Sequence, residues 1–583
     1  MKPHFILNAG KRISVVLILL SLFFQCSEDE SLLKTEESIN DITISATATA
    51  EISPASCNCT YIVPGNLSTV EVDGTKLGLK PGAVICLNAA NKYQKVFFKN
   101  LVGTASAPIL ITNCGGTATL NAPGHPYTMK TEDCKFIKIA GGTGTSRGIK
   151  ITGGHMGLVV GKLTTNVEVQ NLEIFDVGFA GIIAKTDPTC DDATIRENFV
   201  MRDVSIHDNY VHDTGGEALY IGHSFYYGVQ TSCGLRLPHL IDGLKIYNNK
   251  IVNSGWESIQ VGCALNGAYV YNNTIENYGV VNEPAQNNGI QFSAGTKGFA
   301  YNNLIKSGKG IGIMVIGHGE ATLHDNVIIG TGSFGIFCDE RDSRAAGYKI
   351  LNNTIINTAS DGIRMYNDYV PAVVYNNIVV NPGTYSTYTY PRTGDDAYVY
   401  KLGKTIPVTM SNNLFTRDIN TVKFVNPSAA NYRITTSSPA VNTGKDIRSY
   451  NIDVDFYQQS RLSGSAYDIG ASELVGASSA PITDGKPENS EDIEPVANSG
   501  KDITVDLPVG SVVITGNASD SDGKIVSYKW TKVRGPESLS MSGTNTAKLT
   551  VSKLVEGAYV FRLTVTDDDG NSDYDDMLLK VNP

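Results

Sequence analysis

Between residues 181 and 365 the apolar and polar positions alternate in short bursts, each opened by a small residue. They are Gly181-Ile182-Ile183-Ala184, Ala218-Leu219-Tyr220-Ile221, Ser258-Ile259-Gln260-Val261, Gly289-Ile290-Gln291-Phe292, Gly312-Ile313-Met314-Val315, Gly335-Ile336-Phe337-Cys338 and Gly362-Ile363-Arg364-Met365. The period is two, so these are strands, not helices. Between them runs a second phrase, an Asn pair or Asp-Asn flanked by apolar residues, whose second Asn falls at 249, 273, 303, 326, 353, 377 and 413. Most intervals are 23 to 30 residues. A strand of four residues cannot bury a face alone, so a repeat of this length predicts a solenoid whose stacked coils share one core. The Leu spacing of leucine-rich repeats is absent.

The second Asn of each pair fits a turn in which its amide bonds backbone groups and the equivalent Asn one coil away, making a ladder along the axis. With about 24 residues per coil, enough for three strands and three turns, the region resembles the right-handed parallel β-helix of the pectate-lyase-like superfamily. Gln170-Asn171-Leu172 and His207-Asp208-Asn209 continue the phrase upstream at longer spacing, the extra residues forming loops at 186–203 and 224–241. The expected fold is all-β: a parallel β-helix over 51–473, a linker at 474–496 rich in Ser, Pro, Gly and acids, and a small β-sandwich over 497–583. The segment 429–473, with Ser438-Pro439-Ala440-Val441-Asn442 and Asp468-Ile469-Gly470-Ala471, resembles the closing coil and cap of bacterial β-helix proteins.

The sandwich resembles a PKD-type Ig-like domain, on Ala497-Asn498-Ser499-Gly500, Tyr528-Lys529-Trp530, Gly535-Pro536 and Tyr559-Val560-Phe561-Arg562-Leu563-Thr564-Val565. Trp530 is the expected core Trp. Such modules are accessory in secreted enzymes. Asp520, Asp522, Asp567 and Asp569 are candidate oxygen ligands for calcium, against a plain reading as Asp-Gly turns.

At the N-terminus, Lys2, Lys11 and Arg12 precede an apolar run, Ile13 to Phe24, too short for a stable membrane anchor, which reads as a signal peptide. Cys26 followed by Ser27-Glu28-Asp29-Glu30 resembles the acylated start of a Bacteroidetes-type lipoprotein, with Gln25 departing from the usual small residue. Residues 1–26 are then removed or lipidated and 27–50 form a tether. The expected location is the outer membrane or cell surface, held by the lipid alone. Nine other cysteines in an oxidising compartment leave an odd thiol. Cys190 and Cys233 lie in long loops of successive coils and can bridge them, Cys338 points into the core, and Cys57-Asn58-Cys59 lacks partners at metal-ligand spacing. The formal charge of −11 disfavours nucleic acid.

Aligning the strands turns the repeat into a ruler. Two positions past the small residue comes an outward column: Ile183, Tyr220, Gln260, Gln291, Met314, Phe337 and Arg364. Further on come Lys185, Asp339 and Tyr366, then His223, His318 and Arg341 in the loops. Tyr220, Gln260, Gln291, Phe337, Asp339, Arg341 and Tyr366 are the substrate-binding candidates; Lys185, His223, Glu217, Glu257, His318 and Arg364 the catalytic ones. Glu217 and Glu257 share the column before the small residue in neighbouring coils, about 4.8 Å apart, either as a retaining glycosidase pair or as solvated turn residues. Gly317-His318-Gly319 is similar to the Gly-His-Gly of polygalacturonases, but the Asp pair that family needs is missing from Gln286 to Phe292. No Asp cluster of the pectate-lyase kind is present. His207, Asp208, His212, Asp213 and Glu217 could form a metal set, yet His207 occupies the aromatic position of the repeat and reads more simply as part of a ring stack.

The expectation is a monomeric, exported, carbohydrate-active protein acting as lyase or hydrolase on an extracellular polysaccharide, uronate-containing ones included, with a noncatalytic glycan-binding adhesin as the alternative. Fold resemblance alone does not name the reaction.

Overall fold

The computed structural model describes residues 58–142, 147–317, 320–339, 347–366, 371–383, 397–401, 408–474, 495–520, 524–567 and 572–583. Cys26, His318, Arg341, Asp522 and Asp569 lie outside these residues, as do the signal peptide and tether. The chain divides into two compact units, Met1–Ser478 and Ser479–Pro583.

The first unit is a coil of short strands in parallel register. One coil runs through Leu244–Tyr247, Lys250–Ser254 and Ile259–Val261 before the next begins at Ala268. Among the described residues, stacking makes three ladders, in the order the coil visits them: a first of thirteen strands, a second of eleven and a third of twelve. Inward side chains such as Ile246, Ile251 and Ile259 are fully buried, and their equivalents continue up one core.

The Asn pair now has a physical account. The first member takes a left-handed conformation, with φ between 51° and 57° at Asn248, Asn272, Asn302, Asp325, Asn352, Asn376 and Asn412, a region Asn and Asp tolerate better than other side chains. The second member is buried, and its amide donates to the next coil's carbonyl oxygen: Asn249 to Asn273 at 3.0 Å, Asn303 to Asn326 at 2.9 Å, Asn353 to Asn377 at 3.0 Å. Beside it His207, Tyr247, Tyr271, Tyr301 and His324 stack ring on ring, centroids 4.5 to 4.9 Å apart. Their faces are spent on each other, so the column is not a sugar platform; the His207 ring nitrogens bond Asp208 and, at 3.2 Å, Glu168.

The first members of the last four pairs do something the sequence did not announce. The C-terminal segment of the first unit lies along them: Arg461 pairs with Asp325, Asn352 donates to Asp468 O at 3.1 Å, Asn376 to Lys445 O at 2.9 Å, and Asn412 to Thr443 O at 2.7 Å. It also covers Val327, Ile356, Ile378 and Val380, outward residues of the second ladder. This segment is therefore a strap along the side of the coils as well as their closing element.

Cys59–Cys86 and Cys190–Cys233 are disulfides, and Cys134, Cys263 and Cys338 are buried thiols. No helix of the described residues is long and apolar enough to cross a membrane.

The second unit is a sandwich. One sheet holds Ile503–Asp506, Ser572–Asn582, Gly557–Asp567 and Ile525–Arg534; the other holds Ser511–Thr515, Lys548–Ser552 and Ser540–Ser542. Trp530 is buried between them, its indole N–H donating to Thr546 O at 3.0 Å.

Candidate functional site

A groove of 640 Å³ opens over the outward face of the third ladder, with Met156, Val159, Ile183 and Tyr220 along its floor. One wall is a corner row in which successive coils hydrogen-bond through the backbone, His155 to Phe179 to Gly216 to Trp256. His155 stacks on Phe179 at 5.6 Å, and Phe179 meets Trp256 edge to face at 5.4 Å. The two rings meet across Gly216, where a Cβ would come within 2.6 Å of the Phe179 ring. The opposite wall is made by the loops at 185–194 and 225–232, which the Cys190–Cys233 disulfide ties together. Arg236 Nε donates to Thr189 O at 3.1 Å and Arg196 Nε to Pro238 O at 3.0 Å, so both arginines brace this wall.

Charge is arranged behind that wall. Lys185 Nζ lies 2.8 Å from Asp187 Oδ1 and 4.9 Å from the centre of the Tyr220 ring. Burial works to raise the Asp187 carboxyl, but Lys185 and His223 outweigh it and hold the group below the usual Asp range. His223 is buried; its Nδ1 accepts from Phe225 N at 3.1 Å, which places the proton on Nε2, 3.6 Å from Asp187 Oδ1. His239 Nε2 accepts from Thr186 N at 2.9 Å. Burial first, then the Lys185 charge, lower the His223 pKa to about 3; burial lowers His239 to about 4. Both are neutral supports of the loop.

A pH dependence follows. Folded values below the ordinary His pKa of about 6.5 mean that the unfolded chain binds more protons below that pH, so stability falls as pH drops from about 6.5 toward 4. The melting temperature is expected to decrease between pH 7 and 4.5, and His223→Asn, which keeps an acceptor for Phe225 N–H but cannot charge, to flatten that decrease. An equal acid loss in the variant would place the effect elsewhere.

Glu217 and Glu257 are adjacent in one column: Gly181 N donates to Glu217 O, Ala218 N to Glu257 O and Ser258 N to Asn288 O. Both side chains are buried, which overturns the solvated-turn expectation. Only Glu217 reaches the groove, because the residue one coil upstream is the short Ala180, whereas Glu257 lies between Glu217 and Asn288. Burial and then the Glu217 charge push the Glu257 carboxyl well above the carboxylate range. The pair therefore does not flank a bound bond as a retaining pair must.

The outward column exists in the expected register, Ile183, Tyr220, Gln260, Gln291, Met314, Phe337 and Arg364 pairing in sequence. Beyond Tyr220, however, it is covered. Gln291 donates to Gln260 Oε1 at 3.0 Å, and Met314 and Phe337 pack with Phe334 and Tyr366. Asp339 is buried. Arg364 is fully buried, 2.7 Å from Asp361 and over the Phe334 ring, so it braces the coil instead of meeting a ligand. Of the candidates, Lys185, Glu217 and Tyr220 line the groove, and His223 and Glu257 stand behind it. Tyr127, Lys130, His155, Phe179, Asp187 and Trp256 were not anticipated. The corner row was legible in principle, since His155, Phe179 and Trp256 each follow a Gly just before a strand.

Two family models match: right handed beta helix region, over residues 202–378 and 241–415, and a PKD domain, over 499–581. The chain is thus a right-handed β-helix protein that carries a C-terminal PKD domain. The chain is 42% identical over 98 residues to mouse (Mus musculus) low-density lipoprotein receptor-related protein 11, a match covering 17% of this chain and 20% of that protein. This chain therefore spans about a fifth of that relative's length. Among solved structures, an alginate lyase from Paenibacillus is matched at TM-score 0.30 and 16% identity over 60% of this chain and 98% of that one. A lacto-N-biosidase from Eubacterium ramulus is matched at TM-score 0.32 and 11% identity over 58% and 63%. At these TM-scores neither adds to what the strand registers establish.

Proposed function

We propose that this protein binds an extracellular polysaccharide in the groove over its third ladder and hydrolyses a glycosidic bond there. The observation that carries the reading is one groove joining an aromatic lining to two carboxyls in different surroundings, Asp187 beside a lysine and Glu217 beside a second buried carboxyl. Asp187 is held ionised by Lys185. Glu217 abuts a second buried carboxyl, and two such groups resist ionising together. Environments that push two carboxyls apart assign an acid and an ionised partner. Glu217 gives its proton to the bridging oxygen as the bond to the anomeric carbon breaks. Asp187 stabilises the positive charge that develops on the sugar, and water completes the reaction. Trp256, Phe179 and Tyr220 offer faces and edges for sugar rings, and Lys162 suits an acidic substituent.

In this reading the first 26 residues direct export, with Cys26 acylated at the cell surface, and the PKD domain serves as spacer or surface contact, with calcium on its aspartates. The protein acts as a monomer, with a glycan as its partner.

The test is incubation with a polysaccharide panel, following reducing ends and absorbance near 235 nm, the region where unsaturated uronates absorb. New reducing ends without that absorbance are expected. Absorbance would replace hydrolysis by elimination, and silence in both with retention on an immobilised glycan would make the protein a binder.

A further inference from the structure

We propose that Glu217 and Glu257 form a proton-sharing dyad, in which Glu257 never meets the substrate but keeps one proton available to Glu217 at neutral pH. The inference rests on the hydrolytic reading for its role, but not for its existence.

The geometry supplies the reasons. The two residues occupy the same position of successive parallel coils, which sets them about one strand spacing, or 4.8 Å, apart. Both are buried, Glu257 completely. Among the described residues, the groups around Glu257 are neutral apart from Glu217: Asn288 Nδ2 lies 3.4 Å from Glu257 Oε1 and 2.9 Å from Gln291 Oε1, and Gln291 in turn donates to Gln260. Glu257 Oε2 has no hydrogen-bond partner among the described residues. A carboxylate with one long amide contact and no cation is poorly compensated, and burial with a like charge favours the proton. Among the described residues, the charged and titratable groups lining the groove with Glu217 are Lys130, Glu132, His155, Lys162, Lys185, Asp187, Asp191 and the phenols of Tyr127 and Tyr220; Lys130 lies against Glu132 and Lys185 against Asp187. The first proton leaves such a pair readily and the second is retained, so the titration belongs to the pair.

In turnover, Glu217 donates the shared proton to the leaving oxygen as the glycosidic C–O bond breaks. Two buried carboxylates remain, and the proton released by the attacking water returns to one of them. Glu257 is thus a positioning residue that sets when Glu217 carries its proton.

The experiment uses the full chain and three variants, Glu217→Gln, Glu257→Gln and the double variant, with the infrared carbonyl band of protonated carboxyls followed across pH. The wild type is expected to keep one such band at pH 7 that the double variant lacks. The remaining carboxyl of each single variant is expected to titrate at least about one pH unit lower, a tenfold change in proton affinity. A missing wild-type band, or a midpoint unmoved by either single substitution, overturns the dyad. In a cleavage assay, Glu257→Gln is expected to move the alkaline limb of kcat/KM to lower pH with KM little changed; an unmoved limb overturns its role. If no glycan is cleaved, the hydrolytic reading falls, while the infrared titration still decides whether the proton is shared.

Discussion

Glu217→Gln is expected to slow glycan cleavage by about 10²- to 10⁴-fold, the range that a positioned proton donor contributes. Gln keeps the volume of Glu at a site one coil from Ala180 and Glu257, and it removes one of two carboxyls buried together. Stability should therefore be unchanged or raised, and retention on an immobilised substrate preserved. The loss should appear in kcat and kcat/KM alike, as it does when an interaction made only in the transition state is removed. Asp187→Asn is the companion, expected to lower the rate as well, with some loosening of the loop because Lys185 and His223 face the same carboxylate. A Glu217→Gln protein that cleaves at the wild-type rate would remove the acid from this groove and the hydrolytic reading with it.

The largest stability effect is expected at the centre of the Asn ladder. Asn326 donates to Ala300 O at 2.9 Å, His324 O at 3.0 Å and Asn353 Oδ1 at 2.9 Å, and accepts from both the backbone and the side chain of Asn303. Alanine would leave several of these buried groups without partners, each costing about 1–3 kcal/mol, so a loss of roughly 3–6 kcal/mol is expected after partial relaxation. Asn413 ends the ladder, is half-buried and donates to Val374 O at 2.8 Å. Asn413→Ala should cost clearly less. Equilibrium urea unfolding of the two variants measures the difference, and equal losses would mean that the ladder is not what holds the corner.

The fold was readable because each member of the Asn pair has a job that few residues can do, one in a left-handed turn and one as a buried amide with donor and acceptor. The coils before Gln170 use other residues at that corner, so the phrase fades there although the three ladders continue. The site was only half readable for a different reason. A period of two tells which side chains point away from the core, as it did for Gln260, Met314 and Arg364, but not which of them a loop or corner ring will cover. That depends on packing between segments far apart in sequence. Arg364 illustrates it: outward in register, yet enclosed by Asp361 and Phe334 from its own and the preceding coil. The run of outward apolar residues Val327, Ile356, Ile378 and Val380 was the one sequence sign that something else must lie over the second ladder.

What lies there alters how this part of the protein can come apart. A stack of coils that touch only their neighbours can fray one layer at a time from either end. The segment from Thr443 to Gly470 grips the corners at Asp325, Asn352, Asn376 and Asn412, so these layers share a single belt. Peeling the last coil requires unfastening the belt, and once it is unfastened each of the layers beneath loses a contact at the same moment. The C-terminal end of the solenoid should yield as a block to heat, protease or pulling, whereas near Cys59 the Cys59–Cys86 disulfide ties the first two described layers covalently.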